Sequence, residues 1–115
     1  MARVVAYVPD LLFGSQVLGA LRAAGHEVEL VSVLELLDPD VEVVVVDLTA
    51  DVGERIARVG AVPTEGVELL AFYSHVEADV RSQAEEAGFD LVVPRSRMAR
   101  EGPALVARLA GGPTA

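Results

Sequence analysis

At 115 residues the chain is sized for one domain with a single core and leaves no room for a second. Nine Lys+Arg against eighteen Asp+Glu give a formal net charge of −9, a field that repels phosphate backbones and anionic membrane surfaces and so argues against direct nucleic-acid or membrane binding. The absence of cysteine excludes disulfides, thiolate catalysis and cysteine-ligated metal, and two histidines, His26 and His75, cannot build a multi-histidine site. No apolar run approaches the ~20 residues of a membrane span and MARVVAYVPD carries no basic stretch ahead of a long apolar segment, so a cytoplasmic location is the expectation.

Val4 to Val8 is a short, nearly continuous apolar run, the pattern of a strand covered on both faces, and it stops at Pro9-Asp10. Between Leu12 and Ala24, Phe13, Val17, Leu18 and Leu21 recur at three- and four-residue spacing, which predicts a helix ended by Gly25. Glu27 to Val33 alternates and predicts a second strand with one less apolar face, suited to a sheet edge. Leu34 to Leu37 has room for one or two helical turns before Asp38-Pro39-Asp40 breaks the chain, so the second crossover is expected to be abbreviated.

Glu42 to Val46 contains four consecutive valines, and a β-branched run of this kind belongs in the middle of a sheet with helices above and below. Thr49 or Asp51 is placed to cap a helix from Val52 to Val59, which the Gly60, Pro63 and Gly66 cluster ends. Val67 to Tyr73 predicts a fourth strand, Glu77 to Ala87 a polar-rich helix stopped by Gly88, and Leu91 to Val93 a fifth strand. Pro103 suits the first turn of a last helix running to about Ala110. The expectation is a single domain over residues 1–110 and a flexible tail over 111–115.

Five strands alternating with helices imply a parallel sheet with helices on both faces, and in this length they favour the five-stranded flavodoxin-like α/β order over the six-stranded dinucleotide fold. In such sheets ligands sit outside the carboxyl ends of the strands. The residues found there are Asp10, Asp47, Ser74, His75 and Arg95, drawn from distant parts of the chain. Neither Gly-x-Gly-x-x-Gly nor Gly-x-x-x-x-Gly-Lys is present, so nucleotide binding has no support.

Over essentially its whole length the chain resembles the receiver domains of bacterial response regulators. Val45-Val46-Asp47-Leu48 is similar to the family's apolar strand ending in the phosphoryl-accepting aspartate. Gln83 to Asp90 resembles its fourth helix and the Ala-Gly-Ala-Asp exit from it. Arg95 falls where receivers carry a lysine just after strand five, and Ser74 falls at or next to the switch Ser/Thr.

The resemblance implies magnesium, because a carboxylate attacking a phosphoryl group needs both charges neutralised. Counting back from Ala24-Gly25, the family's two metal-binding acids correspond to Val8 and Pro9, whose side chains cannot ligate a hard cation. Asp10, one residue on, offers only a thin shell with Asp47. A guanidinium at position 95 is a planar fork suited to a carboxylate rather than a point charge for a phosphoryl oxygen, so an Arg95–Asp47 pair is expected in place of lysine, metal and phosphate. Val92 stands where many receivers place the rotating aromatic.

Plainer roles stand beside these. Asp47 also reads as a strand terminator that caps the following loop, Asp10 as a cap on the first helix, Ser74 as a backbone-capping hydroxyl and His75 as a solvated loop residue. Leu12 and Phe13 read as core packing of the first helix or as an apolar contact at the rim. Arg95, Arg97 and Arg100 form a basic cluster that is either a solvated face paired to Glu101 or an interface on the surface between strand five and the last helix.

The expected function is a non-catalytic pseudo-receiver, not an enzyme, without metal or other cofactor, binding a protein partner or itself through that surface. One alternative is an atypical phospho-accepting single-domain regulator in which Asp10 and Asp47 hold magnesium. Another is a small-ligand binder at the strand rim. With no appended effector domain in the sequence, output is expected to come from a separate chain.

Overall fold

A computed structural model describes residues 2–74 and 78–111. The elements are β1 (Arg3–Tyr7), α1 (Leu11–Ala23), β2 (Glu27–Val31), β3 (Val43–Asp47), α2 (Val52–Gly60), β4 (Glu68–Tyr73), α3 (Ala78–Glu86), β5 (Leu91–Pro94) and α4 (Arg95–Gly111). All neighbouring strands are parallel and the sheet order is β2-β1-β3-β4-β5. This is the flavodoxin-like arrangement that the alternation of strands and helices implies.

The valine strand β3 takes the centre and is buried at every residue. Its alternate side chains feed two cores. Val43 and Val45, with Val4, Ala6, Leu70 and Phe72, pack beneath α1 and α4 against Val17, Leu21, Met98, Leu105 and Val106. Val44 and Val46, with Val5, Tyr7, Leu69 and Ala71, pack beneath α2 and α3 against Val59, Val80 and Ala84. The period-two alternation of a strand thus divides one apolar run between two helix layers.

α1 begins at the N-cap Asp10, whose Oδ1 accepts the Phe13 N–H at 3.0 Å, and ends ahead of Gly25, which stands at φ +93°. Both termini follow local rules: a short acceptor at the N-cap and a glycine in the left-handed region just past the helix.

Two expectations need correction. No helical turn forms over Leu34–Leu37; the whole 32–42 connection is irregular. Leu34 instead turns into the α2–α3 core and is 2% exposed, while Leu36 is 80% exposed. The edge strand has adapted to having no helix above it: Glu27 and Glu29, on the same pleat face as Val31, are exposed there. Arg3 fastens the end of the connection through Asp38 at 3.6 Å and Asp40 at 3.7 Å.

The second correction concerns the last helix. It starts at Arg95, immediately after β5, and carries Pro103 in its interior rather than its first turn. An interior proline removes one helical hydrogen bond. The buried stripe Met98, Gly102, Leu105 and Val106 keeps the segment helical by packing on the sheet, so tertiary burial overrides the local stop signal. His26, buried beside it, brings Nε2 to 3.3 Å from the Pro103 carbonyl while Nδ1 accepts the Ala2 N–H at 3.1 Å. α4 continues through Gly111, one residue into the expected tail; the remaining tail residues lie outside those described.

At the amino ends of β4 and β5, burial and then the neighbouring Asp90 carboxylate push Glu68 above the ordinary carboxylate value of 4.5. Asp90 is fixed there because its Oδ2 accepts the Leu69 N–H at 2.7 Å.

Two outcomes follow for stability. Leu34→Ala is expected to lower unfolding free energy by about 2–4 kcal/mol through lost burial and a residual cavity, with Leu36→Ala nearly neutral; equal urea midpoints for the two would reject the plug role of Leu34. For Glu68, the folded state holds its proton to higher pH than the unfolded chain, so stability falls as pH rises from 4.5 through the raised value. Glu68→Gln is expected to withstand more urea than the parent at pH 7, the gap closing below pH 4.5. An unchanged midpoint at pH 7 would show that the ionised Glu68 carries no penalty.

Candidate functional site

Asp47 ends the central strand and is 1% exposed. Its Oδ1 accepts the backbone N–H of Thr49 at 2.8 Å and the Thr49 hydroxyl, the closed turn that an aspartate forms with the residue two positions on. Its Oδ2 lies 3.3 Å from Arg55 Nη1. The same nitrogen donates to the Asp47 carbonyl oxygen at 3.0 Å, and Arg55 Nη2 lies 3.6 Å from the Asp51 carboxylate. Both carboxylate oxygens of Asp47 are therefore engaged, one by a turn and one by a guanidinium.

The turn that aims Arg55 is tight. Asp51 is the N-cap of α2 at φ 48°, ψ 44°, a left-handed conformation that aspartate tolerates better than most residues. Its side chain makes no cap bond to the helix and reaches Arg55 instead. α2 presents Val52, Ile56 and Val59 to the core, and Arg55 falls within that inward arc.

Arg55 is the residue that sequence reasoning missed, and a signal for it exists. An arginine among the core-facing positions of an amphipathic helix needs a buried counter-charge. Asp47, eight residues earlier at the dry end of a valine strand, is the buried acid available.

The expected Arg95–Asp47 pair does not form. Because α4 starts at residue 95, Arg95 is held in the first helical turn beside α1, with its guanidinium carbon 5.6 Å from the centroid of the Phe13 ring. That ring in turn packs on Phe72, centroids 5.0 Å apart. Asp10 and Arg95 line one open cleft with Leu12, Phe13 and Gln16. Of the residues expected along a single rim, Asp47 thus pairs with Arg55, while Asp10 and Arg95 line a cleft without it.

Ser74 follows β4 and is half-buried. His75 lies outside the described residues. The basic cluster also divides: Arg97 Nε is 3.5 Å from Glu101 and Arg100 Nη2 is 3.8 Å from the same carboxylate group, whereas Arg95 turns toward α1. Val92 is buried in the α2–α3 core.

Val8 is buried, Pro9 has no side-chain oxygen, and the Oδ2 of Asp47 faces a cation already. Among the described residues no three His, Asp or Glu side chains gather closely enough to hold an ion. All nine cationic side chains are arginines, so no lysine exists anywhere to take the receiver lysine's place.

No described helix is long and apolar enough to cross a membrane. No protein-family model matches the sequence, and no curated protein matches it. Solved structures do. The non-phosphorylated HemR receiver domain from Leptospira biflexa superimposes with a TM-score of 0.77 at 16% identity, covering 100% of this chain and 98% of that one. A response regulator from Thermotoga maritima gives 0.75 at 13% identity over 97% and 99%. The ChxR receiver domain from Chlamydia trachomatis gives 0.60 at 11% identity over 92% and 93%. At these identities it is the fold that is shared, and the chain therefore has the flavodoxin-like fold of response-regulator receiver domains.

Proposed function

We propose that this chain is a pseudo-receiver: a signalling module in the cytoplasm that keeps the receiver fold, performs no metal-dependent phosphotransfer, and works by binding a protein partner or a second copy of itself. The observation that carries the reading is the Asp47–Arg55 pair. Phosphoryl transfer to a carboxylate requires an exposed oxygen, a metal and a mobile cation for the incoming group. Here the carboxylate is buried, Thr49 and Arg55 take its oxygens, and the metal-binding acids are replaced by Val8 and Pro9.

A guanidinium fixed in this way supplies permanently the positive charge that magnesium supplies transiently. The site then rests in one state, and its contribution is to hold the β3–α2 turn in shape. Binding falls to the surfaces around α4, where the arginines concentrate in an otherwise acidic protein.

Intact mass after treatment with acetyl phosphate and Mg²⁺ tests the reading, with Asp47→Asn as control. The parent is expected to remain unmodified. A stable gain of one phosphate, absent from the control, would favour the phospho-accepting alternative. A double-mutant cycle tests the pair itself. Arg55→Met leaves a buried carboxylate without its cation and is expected to cost about 3 kcal/mol at pH 7, most of it recovered when Asp47→Asn is added. Additive losses in urea unfolding would show that the two groups do not interact.

A further inference from the structure

α1 and α4 lie side by side on one face of the sheet. Between them is a cavity of about 70 Å³ whose walls include Val17, Ala20, Met98, Ala99 and Pro103. Phe13 and Gln16 also belong to the adjoining open cleft of about 310 Å³, which Asp10, Leu12 and Arg95 complete. The cavity is roughly half the ~150 Å³ that admits a benzene ring, so it suits the end of an aliphatic side chain.

The mouth of this groove carries two features that are unsatisfied in the single chain. Leu11 and Leu12, adjacent at the start of α1, are 78% and 75% exposed and set two large aliphatic side chains in water beside the groove. Asp10 and Arg95 share the cleft, yet neither makes an ion pair with the other or with another charged group among the described residues. Arg95 stands in the first turn of a 17-residue helix, where the helix dipole disfavours a cation, and no acidic residue in that turn offsets it.

We propose that two copies of this chain associate about a two-fold axis across the α1–α4 face, Leu12 of each copy entering the groove of the other and Asp10 of each pairing with Arg95 of the other. A two-fold contact requires a patch complementary to itself, in which each feature lies beside its own opposite. This patch meets that condition twice, with an aliphatic knob beside an aliphatic socket and an acid beside a base. A different protein would have to present the same four features in reversed order; the chain's own surface already does. The pairing places an acid at the amino end of α4, where the dipole favours one, and covers Leu11 and Leu12.

The inference rests on reading the chain as an interaction module, and its test is separate: sedimentation reports on association, whatever the phosphodonor experiment reports on Asp47. The full chain is expected to sediment as a dimer at micromolar concentration. Leu12→Arg, at an exposed position that leaves folding intact, is expected to weaken association by at least ~10-fold, as loss of a central apolar anchor does. Asp10→Arg and Arg95→Asp, each confirmed as folded by circular dichroism, are each expected to be monomeric, since each brings like charges together at both contacts. Mixed in equal amounts they are expected to dimerise again. One copy of the mixed pair then carries a base at both positions and the other an acid at both, so that each of the two contacts joins opposite charges. A monomeric parent at submillimolar concentration, a Leu12→Arg variant that dimerises like the parent, or charge variants that fail to recombine would each overturn the proposal.

Discussion

A carboxylate at the end of a strand with no water on either face must find a cation, and much of the carboxyl rim follows from that requirement. β3 is covered by two helices on each side of the sheet, and Asp47 ends it at 1% exposure. Leaving the charge unpaired in such surroundings would cost several kcal/mol. Arg55 answers it from the first turn of α2, and the left-handed Asp51 sets the path of the chain so that this is possible. The pair adds little net stability, because desolvating two ions offsets most of their attraction. What it adds is orientation: α2 is held over the end of β3 by a contact to both the side chain and the carbonyl of Asp47.

The proposed reading inverts the logic of a receiver. There the aspartate stays open to a metal and a phosphoryl group, and the bound charges change its surroundings. In the proposed pseudo-receiver the charge is supplied by the chain, through Arg55, and does not leave. The fold is shared with the HemR and Thermotoga maritima structures at 16% and 13% identity. Fold and function are separable because the sheet and its helices need only apolar patterning, whereas phosphotransfer needs particular donors at a few loop positions.

The two faces of the sheet also differ in ways that matter. The α1–α4 face is continuous and leaves a groove between its helices. The other face lacks a helix over the edge strand β2, and a loop plugged by Leu34 closes it, with Glu27 and Glu29 turned outward where a helix would have demanded apolar residues. The unsatisfied apolar and charged groups at the rim accordingly fall on the α1–α4 side.

The strand positions, the parallel sheet and its central valine strand were legible in the sequence, because short apolar runs bounded by Gly, Pro and Asp report burial directly and burial is decided locally by side-chain type. The cap at Asp10 and the stop at Gly25 were equally legible, since each depends on a few consecutive residues. Only the tertiary structure decided three things. It replaced a short helix at Leu34–Leu37 by a loop, because a single leucine reaching the core outweighs the weak propensity of four residues. It carried α4 through Pro103, because the packing of Met98, Gly102, Leu105 and Val106 outweighs one lost hydrogen bond. And it chose Arg55 over Arg95 as the partner of Asp47, a choice set by where two helices begin relative to the sheet. Spacing along the chain carries no record of that distance, because charge pairing acts through space and its partners are fixed only once the elements have packed.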